Sequence, residues 1–574
     1  MLRRIASKMT RAPSARRWAV LGALVAGIAA ACSAACSPET RDFNPATSAS
    51  SSESTGAHPT STGTQAAAGG SGAGGDGAGG ANGSFTISLD HVDVLVTPGD
   101  ESFVVVTVSR ESAQFIDVAL SATDLPPGVT VAAVDVPGDM TTGTLVVKAT
   151  ATAAQGGAFP VTVKATSNGV TKTAKLGVAV SGAPGTPDLN FGTMGAFTTT
   201  IGPGATVGRG LCLQSDGKIV VTGANGLGQA ATLRLTVDGK RDAAFGTNGV
   251  VSTLVESIAG GLVVAEEHTG HLIVGGYAGA SATQTSLLLL GYDGAGVLDT
   301  TFGTMGSAED DAGTGNGEVH AVLPTPTGPI LSAGELFGAT GSLGALAYRH
   351  TAQGAGEANI LSFDSVLFEA AALDASGKMV VVGGDGSDFW IGRFSSSGAR
   401  DPAFGTSSIV NVDFSNRLDT AYGVAISASG KILVGGVSEA AATPDPRVGL
   451  VQLNDDGTLD TTFGNMGKLL STAALETSAL GAIAVDSQGR ILFGGFVSQG
   501  GVPTLAVARF TKLGGVDMTF GTMGVAAIDL SSLGVNGSGA GVYGVAVDDL
   551  DRVVVSGQAG DPASASMVVA RLWP

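Results

Sequence analysis

The chain has 574 residues, 89 of them glycine, a formal net charge of −19 and only 14% charged residues. This length is sufficient for two or more domains, and glycine is about twice as frequent as in an average protein. An acidic surface repels phosphate backbones, so the composition argues against a nucleic-acid-binding protein.

The N-terminus predicts a signal peptide that ends at residue 31. Basic residues precede the apolar run at 18–31, which is too short to be taken as a membrane span. The sequence AAAC that ends at Cys32 resembles a bacterial lipobox, which implies lipidation of that cysteine, and SAAC leaves Cys36 as the alternative. We therefore expect an exported lipoprotein, with simple cleavage and free secretion as the other possibility.

A flexible tether is predicted at 32–83. This segment is rich in Gly, Ser and Ala and has almost no residue that could seed a core. Its length would let a folded body stand clear of a membrane surface.

Residues 84–182 predict a separate Ig-like β-sandwich. Seven segments alternate apolar and polar residues, at 85–96, 102–110, 116–125, 128–136, 142–152, 159–167 and 172–181. Short strands at this spacing over about 100 residues are typical of an antiparallel β-sandwich. The sequence DLPPGVTV at 124–131 resembles the LPxGV segment of bacterial Ig-like domains, which usually act as spacers.

Residues 183–574 contain a repeat of about 55 residues. One end of the repeat is a DxxFG pentapeptide, which occurs at 188–192, 242–246, 299–303, 401–405, 460–464 and 517–521. The other end is a turn, often Gly followed by a basic residue, that runs into a β-branched strand, as in SGKILVGG at 429–436. Seven such turns can be counted, each within a pattern of four short strands. A fixed period of this kind predicts a seven-bladed β-propeller in an all-β protein.

The two ends of the repeat region complement each other. It opens with a fourth strand at 188–200 and closes with three strands that lack a fourth. We therefore expect the N- and C-terminal strands to complete one blade and close the ring, which removes exposed sheet edges.

The repeated polar and aromatic residues are predicted to be structural. The Asp of DxxFG is placed to accept turn N–H groups, the Phe to pack between blades and the Gly to take a positive φ. An Arg recurs on the third strand, at Arg234, Arg349, Arg393, Arg509 and Arg571. Because these residues follow the symmetry of the repeat, they are poor candidates for a functional site.

The motif QSDGKIVVTG…DGKRDAAFGTNG at 214–249 resembles the delta-60 repeat of bacterial β-propellers. The resemblance covers about 188–574 and implies a propeller in an exported protein, with no catalytic residues. The third unit departs from it, since no DxxFG precedes the segment at 359–364.

No catalytic or metal-binding constellation is apparent, and we expect no cofactor. His268 and His271 are three residues apart, but in a hairpin, and the turn NDDGTLD at 454–460 lacks the ligand spacing of a calcium loop. Cys212 lies in an apolar strand and is predicted to be a small buried side chain.

The least repetitive loops give the best binding candidates. The segment 307–320 joins a fourth strand to the next first strand and contains Glu309, Asp310, Asp311 and Glu318. These acidic residues would give one face of the propeller a negative potential.

The expected function is that of a non-catalytic binding or scaffold propeller on the bacterial cell envelope, at the outer membrane or cell surface. Its partner would be a protein or polysaccharide, its only membrane contact the lipid anchor, and the chain a monomer. A structural envelope component and a glycan-active enzyme on a propeller scaffold remain the alternatives.

Overall fold

The computed structural model describes residues 85–574, apart from 111–114, 311–314, 339–342, 416, 428, 441–444, 472, 474, 476–481, 500–501 and 536–538. The described chain divides into two compact units. The smaller has residues 85–154 and 158–180, and the larger has 155–157 and 181–574. The signal peptide, the tether, Cys32, Cys36 and Asp311 lie outside the described residues. No helix in the described part of the chain is long and apolar enough to cross a membrane.

The smaller unit consists of two sheets around one core. Its strands are β1 (Phe85–Leu89), β2 (Asp93–Val96), β3 (Glu101–Arg110), β4 (Val118–Thr123), β5 (Val129–Val131), β6 (Val134–Val136), β7 (Thr142–Ala149), β8 (Gly156–Ser167) and β9 (Val170–Val180). One sheet has the order β1-β3-β7-β5 and the other β2-β9-β8-β4-β6. Val, Leu and Ala side chains from both sheets, together with Phe85, form a single buried cluster between them. The alternating burial along β3 and β7 follows from the two-residue period of a strand.

Two segments predicted as single strands are each divided between the sheets. The segment 85–96 forms β1 in one sheet and β2 in the other, and 128–136 likewise forms β5 and β6. In addition, β2 pairs with β9 in parallel, so the pairing is not wholly antiparallel. The chain changes sheets at 90–92 and at 132–133, which the alternating pattern predicts to be strand interior.

The larger unit is built almost entirely of strands. They are β10 (Ala196–Thr199), β11 (Val207–Leu213), β12 (Ile219–Ala224), β13 (Ala230–Leu235), β14 (Val250–Thr253), β15 (Ile258–Glu266), β16 (Leu272–Ser281), β17 (Gln284–Tyr292), β18 (Ser307–Asp310), β19 (Gly315–Pro324), β20 (Ile330–Gly338), β21 (Leu343–His350), β22 (Gly356–Asp364), β23 (Leu367–Leu373), β24 (Met379–Gly384), β25 (Phe389–Phe394), β26 (Ile409–Val412), β27 (Leu418–Ile426), β28 (Ile432–Glu439), β29 (Pro446–Leu453), β30 (Lys468–Leu470), β31 (Ile483–Val485), β32 (Ile491–Gln499), β33 (Val502–Phe510), β34 (Val525–Ala527), β35 (Gly539–Val547), β36 (Val553–Gly560) and β37 (Ser566–Leu572). A short 3-10 helix lies at Ser531–Leu533.

Most of these strands form antiparallel four-stranded sheets. Four sheets follow chain order: β11 to β14, β23 to β26, β27 to β30 and β31 to β34. The strands β15 to β22 form one sheet of eight strands, in which a single parallel pair, Thr285 with Asn316, joins two groups of four. The remaining sheet has the order β10-β37-β36-β35, so the first strand of the larger unit pairs with the last.

One contact recurs at the connection between third and fourth strands, and it confirms the structural role predicted for the repeated residues. The Arg Nε lies close to the Asp Oδ2 of DxxFG, at 2.9 Å for Arg234 and Asp242 and 2.7 Å for Arg393 and Asp401. The same guanidinium stacks on the Phe of its own motif, for example 4.8 Å from the ring centre of Phe404. The other Asp oxygen accepts a turn N–H, as predicted.

The glycine of DxxFG links each unit to the next. It has a φ near +50° and donates its N–H to a carbonyl in the following unit, as Gly405 does to Asp456 at 2.9 Å. The Phe beside it packs against the turn glycine of that following unit: a Cβ added to Gly457 would lie 3.1 Å from Phe404. The prediction that Phe packs between units is thus confirmed.

The third unit keeps the contact but changes the residues. Arg349 pairs with Glu357 at 2.9 Å, and Ile360 occupies the place of the Phe against the turn glycine Gly398. Its third and fourth strands are joined directly at 351–355, and its fourth strand, β22, has nine residues where the other units have three or four.

Candidate functional site

A β-bulge interrupts the first strand of nearly every unit. The register of each of these strands with the second strand shifts around one residue, namely Arg209 in β11, Leu262 in β15, His320 in β19, Glu369 in β23, Tyr422 in β27 and Tyr543 in β35. The corresponding segment before β31 lies outside the described residues. Bulges often redirect a side chain at a functional site, because the bulged residue is released from the pairing pattern.

These six residues, the bulge cluster, are buried, and they include three contacting pairs: Arg209 with Tyr543, Leu262 with Tyr422 and His320 with Glu369. The Arg209 guanidinium lies 4.1 Å from the ring centre of Tyr543. Leu262 packs with Tyr422, although β15 and β27 belong to sheets that are not neighbours in chain order. The first strands of the larger unit therefore converge at the bulge cluster. Their bulged residues differ chemically from unit to unit, while the strands around them are apolar.

His320 carries the most distinctive chemistry of the bulge cluster. Its Nε2 lies 3.6 Å from Glu318 Oε2 and 3.6 Å from Glu335 Oε1, and its Nδ1 lies 3.3 Å from Glu369 Oε2. The side chains of His320, Glu335 and Glu369 are 0%, 1% and 3% exposed, and that of Glu318 is 20% exposed. Three carboxylates thus surround one imidazole with almost no access to solvent.

Strand pairing places these groups together. Glu318 lies opposite Glu335 in the β19–β20 register, and the bulge at His320 follows immediately. Glu369 is the bulged residue of the next first strand. Burial alone would lower the pKa of His320, but the Glu335, Glu318 and Glu369 carboxylates raise it well above its ordinary value. The same negative potential reaches Tyr277, where burial and the nearby Glu318 raise the pKa to about 12.

The acidic residues predicted as a binding site lie in two different places. Glu318 belongs to the buried group around His320. Glu309 is exposed on β18, where burial of part of the carboxyl and the nearby Glu256 raise its pKa. Asp310 ends β18, and its Oδ2 lies 3.6 Å from Nε2 of His350, while Asp311 lies outside the described residues.

The Asp310–His350 contact is a second partly buried acid–imidazole pair. Burial raises the pKa of Asp310 to about 6 and lowers the pKa of His350 to about 4. Ser332 Oγ lies 3.1 Å from His350 Nε2. These shifts result from desolvation and need no ligand.

A third acidic group lies at the connection into β27. One carboxylate oxygen each of Asp388, Asp413 and Asp419 lie within 4.8 Å of one another. The backbone N–H of Phe414 donates to Asp419 Oδ2 at 2.8 Å, and burial raises the pKa of Asp419. Oxygen ligands alone would suit a hard cation such as Ca²⁺ or Mg²⁺.

The sequence patterns also drew attention to two histidines and a cysteine. His268 is exposed in its hairpin, and His271 Nδ1 lies 3.9 Å from Asp299. Cys212 is buried in β11, in agreement with the prediction of a buried side chain.

Sequence analysis missed His320, Glu335 and Glu369. A signal was present, since an alignment of the units on their first strands shows a single column occupied by Arg, Leu, His, Glu and Tyr within apolar segments. The repeat is defined by the residues that its units share, and this column is where the units differ.

Comparison with known proteins supports the fold of the larger unit. A family model described as a domain of unknown function, DUF5122 beta-propeller, matches residues 214–245 and 428–463. No curated protein matches the chain. Among solved structures, a DUF4784 family protein from Bacteroides caccae aligns with 9% identity over 77% of this chain and 98% of that chain, with a TM-score of 0.21. The family matches place two segments of this all-β chain in a β-propeller family.

Proposed function

We propose that this protein is an exported bacterial lipoprotein whose larger unit is a closed seven-bladed β-propeller that binds a protein or polysaccharide of the cell envelope. Cys32 carries the lipid, the segment 32–83 is the tether, and the smaller unit is an Ig-like spacer. Catalysis is not part of this proposal.

Three observations support a closed ring. The pairing of β10 with β37 supplies the fourth strand of the last group, so the strands of the larger unit fall into seven groups of four. Asp188, which precedes β10, lies 3.0 Å from Arg571 Nε on β37, and this is the Arg–Asp contact of the other units. The convergence of first strands at the bulge cluster is also what a radial arrangement of blades requires.

The observation that carries the binding function is the location of the polar groups. The repeated Arg and Asp residues pair with each other, and the Glu335 and Glu369 carboxylates are too deeply buried to touch a polymer. A glycosidase acid must reach the glycosidic oxygen, so burial of Glu335 and Glu369 disfavours the enzyme alternative. Glu309 is exposed, and the acidic sequence that begins with it is outside the repeat pattern and is free to differ from blade to blade.

The experiment is capture of envelope components by the full-length lipoprotein, with crosslinking in the native bacterium. In the test variant, Glu309 and residues 311–314 are replaced by Gly and Ser, which leaves Asp310 and Glu318 in place. The matched control replaces Leu254 and Ser257, in the corresponding connection between β14 and β15, in the same way, and keeps Glu256 because it lies near Glu309.

We expect the same envelope component to be crosslinked to the natural chain and to the control, and to be lost from the test variant. A test variant that retains the component as well as the control does would overturn the assignment of this face. A natural chain that crosslinks to no component would overturn the binding function. Lipidation is tested separately by the Cys32→Ser variant, which should no longer incorporate labelled fatty acid.

A further inference from the structure

The group around His320 gathers several metal-ligating side chains in one place. Glu318, Glu335 and Glu369 bring three carboxylates to a single imidazole. Carboxylate oxygens and imidazole nitrogens are the ligands that divalent transition metals take in proteins. The arrangement therefore has the chemistry of a cation site.

The Nε2 atom of His320 faces the Glu318 and Glu335 carboxylates but is not hydrogen-bonded to either of them. Nε2 of His320 is 3.6 Å from both Glu318 Oε2 and Glu335 Oε1, which is beyond hydrogen-bond distance, and the side chain is completely buried. One ligand atom from each of the three residues lies within 4.8 Å of the others. The group thus presents one nitrogen and two carboxylate oxygens to a common point.

The spacing fits a small divalent ion. Two ligand atoms bound at about 2.1 Å to a tetrahedral Zn²⁺ ion are separated by roughly 3.4 Å. The two N···O distances of 3.6 Å are close to this value. An imidazole with two carboxylates suits Zn²⁺ or a neighbouring transition metal better than Ca²⁺, which prefers oxygen ligands alone.

The position of Glu369 completes the pattern. Its Oε2 lies 3.3 Å from Nδ1 of His320, on the ring edge opposite to Nε2. The two atoms are not hydrogen-bonded in this arrangement, but a small rotation of the ring would let Glu369 accept the Nδ1 proton. A carboxylate in that role fixes the tautomer that leaves Nε2 free for the metal. The bulge that holds Glu369 is equivalent to the one that holds His320 in the preceding repeat. The same position of two neighbouring repeats therefore supplies the metal-binding histidine and the carboxylate that orients it.

We infer that Glu318, His320 and Glu335 form a binding site for a divalent transition-metal ion, best matched by Zn²⁺, and that Glu369 orients His320 as a positioning residue. The site holds strands β19, β20 and β23 together. Its partly exposed member, Glu318, is the side from which the ion enters. This inference does not depend on the proposed ligand-binding function.

The test uses the full-length chain, stripped of metal with a chelator and titrated with Zn²⁺ against a chromophoric competitor. We expect one tightly bound Zn²⁺ per chain and a melting temperature raised by a few degrees. Co²⁺ in the same site should give the intense visible absorption of a tetrahedral nitrogen–oxygen complex. Failure of the metal-free chain to bind Zn²⁺, or a melting temperature unchanged by it, would overturn the inference in favour of an imidazolium held by ion pairs.

Four variants locate the site. His320→Gln should lose stoichiometric Zn²⁺ binding, and Glu369→Gln should bind Zn²⁺ roughly 10- to 100-fold more weakly. His268→Gln, at an exposed histidine, and Asp388→Asn, in the separate acidic group, should bind as the natural chain does. Should His320→Gln fail to fold, the affinity of Glu369→Gln and the Co²⁺ spectrum still decide the question. Loss of binding in Asp388→Asn, or unchanged binding in Glu369→Gln, would contradict the assignment.

Discussion

The Arg–Asp–Phe contact shows how a single residue type can serve several neighbours. The Arg393 guanidinium touches Asp401, lies over Phe404 and reaches Asp455 in the next unit. The cation therefore links the third strand, the DxxFG turn and the following repeat. A planar guanidinium can do this because its donors point in several directions while its face stacks on an aromatic ring.

Replacement of Arg393 by Met should destabilise the chain by about 3 kcal/mol, because it leaves the Asp401 carboxylate buried with Lys378 as its remaining cation. The side chains of Arg393 and Asp401 are only 3% and 6% exposed. The matched control is Arg447→Met, which breaks a pair with side chains 42% and 43% exposed and should change stability by less than about 1 kcal/mol. Urea denaturation measures both. If the two variants lose the same free energy of unfolding, the buried Arg393–Asp401 pair contributes no more to stability than an exposed pair does.

The same aspartate predicts a dependence of stability on pH. The Lys378 ammonium, together with the Ala403 N–H and Arg393, lowers the pKa of Asp401 to about 2. Because the pKa in the folded chain is below that of an unfolded aspartate, about 3.9, its stabilising effect is complete above pH 4 and is lost as the pH falls toward 2. Asp401→Asn should therefore flatten the acid limb of the stability curve between about pH 4 and pH 2. The measurement is the free energy of unfolding across this pH range, with Asp385→Asn as the comparison variant. An Asp401→Asn chain whose stability falls with pH as steeply as that of the natural chain would contradict the assignment.

Residue roles could be predicted where they depend on short spacing. Asp401 lies eight positions after Arg393, and a repeated spacing of this kind marks a local contact that the sequence can reveal. His320 could not be assigned in this way. Its neighbours Glu335 and Glu369 come from two other strands, and its orientation depends on a bulge, which is a property of strand pairing.

At the scale of elements, the turn between third and fourth strands is the most constrained part of a unit. Gly405 has a φ of +52°, and a Cβ there would lie 2.4 Å from the carbonyl oxygen of Ile409. Gly377, in the turn between the first and second strands, has a φ of +77° with nothing within 4 Å of an added Cβ. The two glycines share a left-handed backbone but differ in the space around them.

Gly377→Ala should destabilise the chain by about 1 kcal/mol, the effect of a left-handed backbone alone. Gly405→Ala should destabilise it by about 2 kcal/mol or more, because the backbone must also move away from Ile409. Thermal and urea unfolding of both variants give the comparison. A smaller effect for Gly405→Ala would mean that the turn adjusts without disturbing β26.

Element boundaries were predictable in part. The repeat pattern placed the strands of the larger unit because turn glycines and β-branched runs punctuate each one. It did not predict that β22 would be longer than the other fourth strands, since the absence of DxxFG gave no indication of what replaced it. In the smaller unit, no local signal distinguishes a bend within a strand from a change of sheet.

For the whole molecule, the pairing of β10 with β37 is the decisive long-range contact. The Asp188 carboxylate lies 3.0 Å from Arg571 Nε and 3.5 Å from Arg552, residues at the other end of the larger unit. Asp242 makes the equivalent contact with Arg234 within its own unit. The two aspartates therefore have similar local surroundings but join parts of the chain that are very differently separated.

Asp188→Asn and Asp242→Asn should each lower the free energy of unfolding by about 3 kcal/mol. Only Asp188→Asn should also accelerate hydrogen exchange at Ala196–Thr199, because β10 is then free to separate from β37. Mass-spectrometric exchange on the full-length chain distinguishes the two. Slow exchange of β10 in the Asp188→Asn chain would show that the ends are held together by strand pairing without help from the ion pair.

The short hairpin at 351–355 bears on how such a chain could be re-engineered. The third unit holds its fourth strand with this connection, without the DxxFG turn, by means of Arg349, Glu357 and Ile360. This unit therefore shows how a loop could be replaced. The longer connection at 395–408 could be exchanged for a hairpin of this type, or a foreign peptide could be inserted into it. Loop-closure entropy changes only slowly with length, so the design problem is to supply the three side-chain contacts.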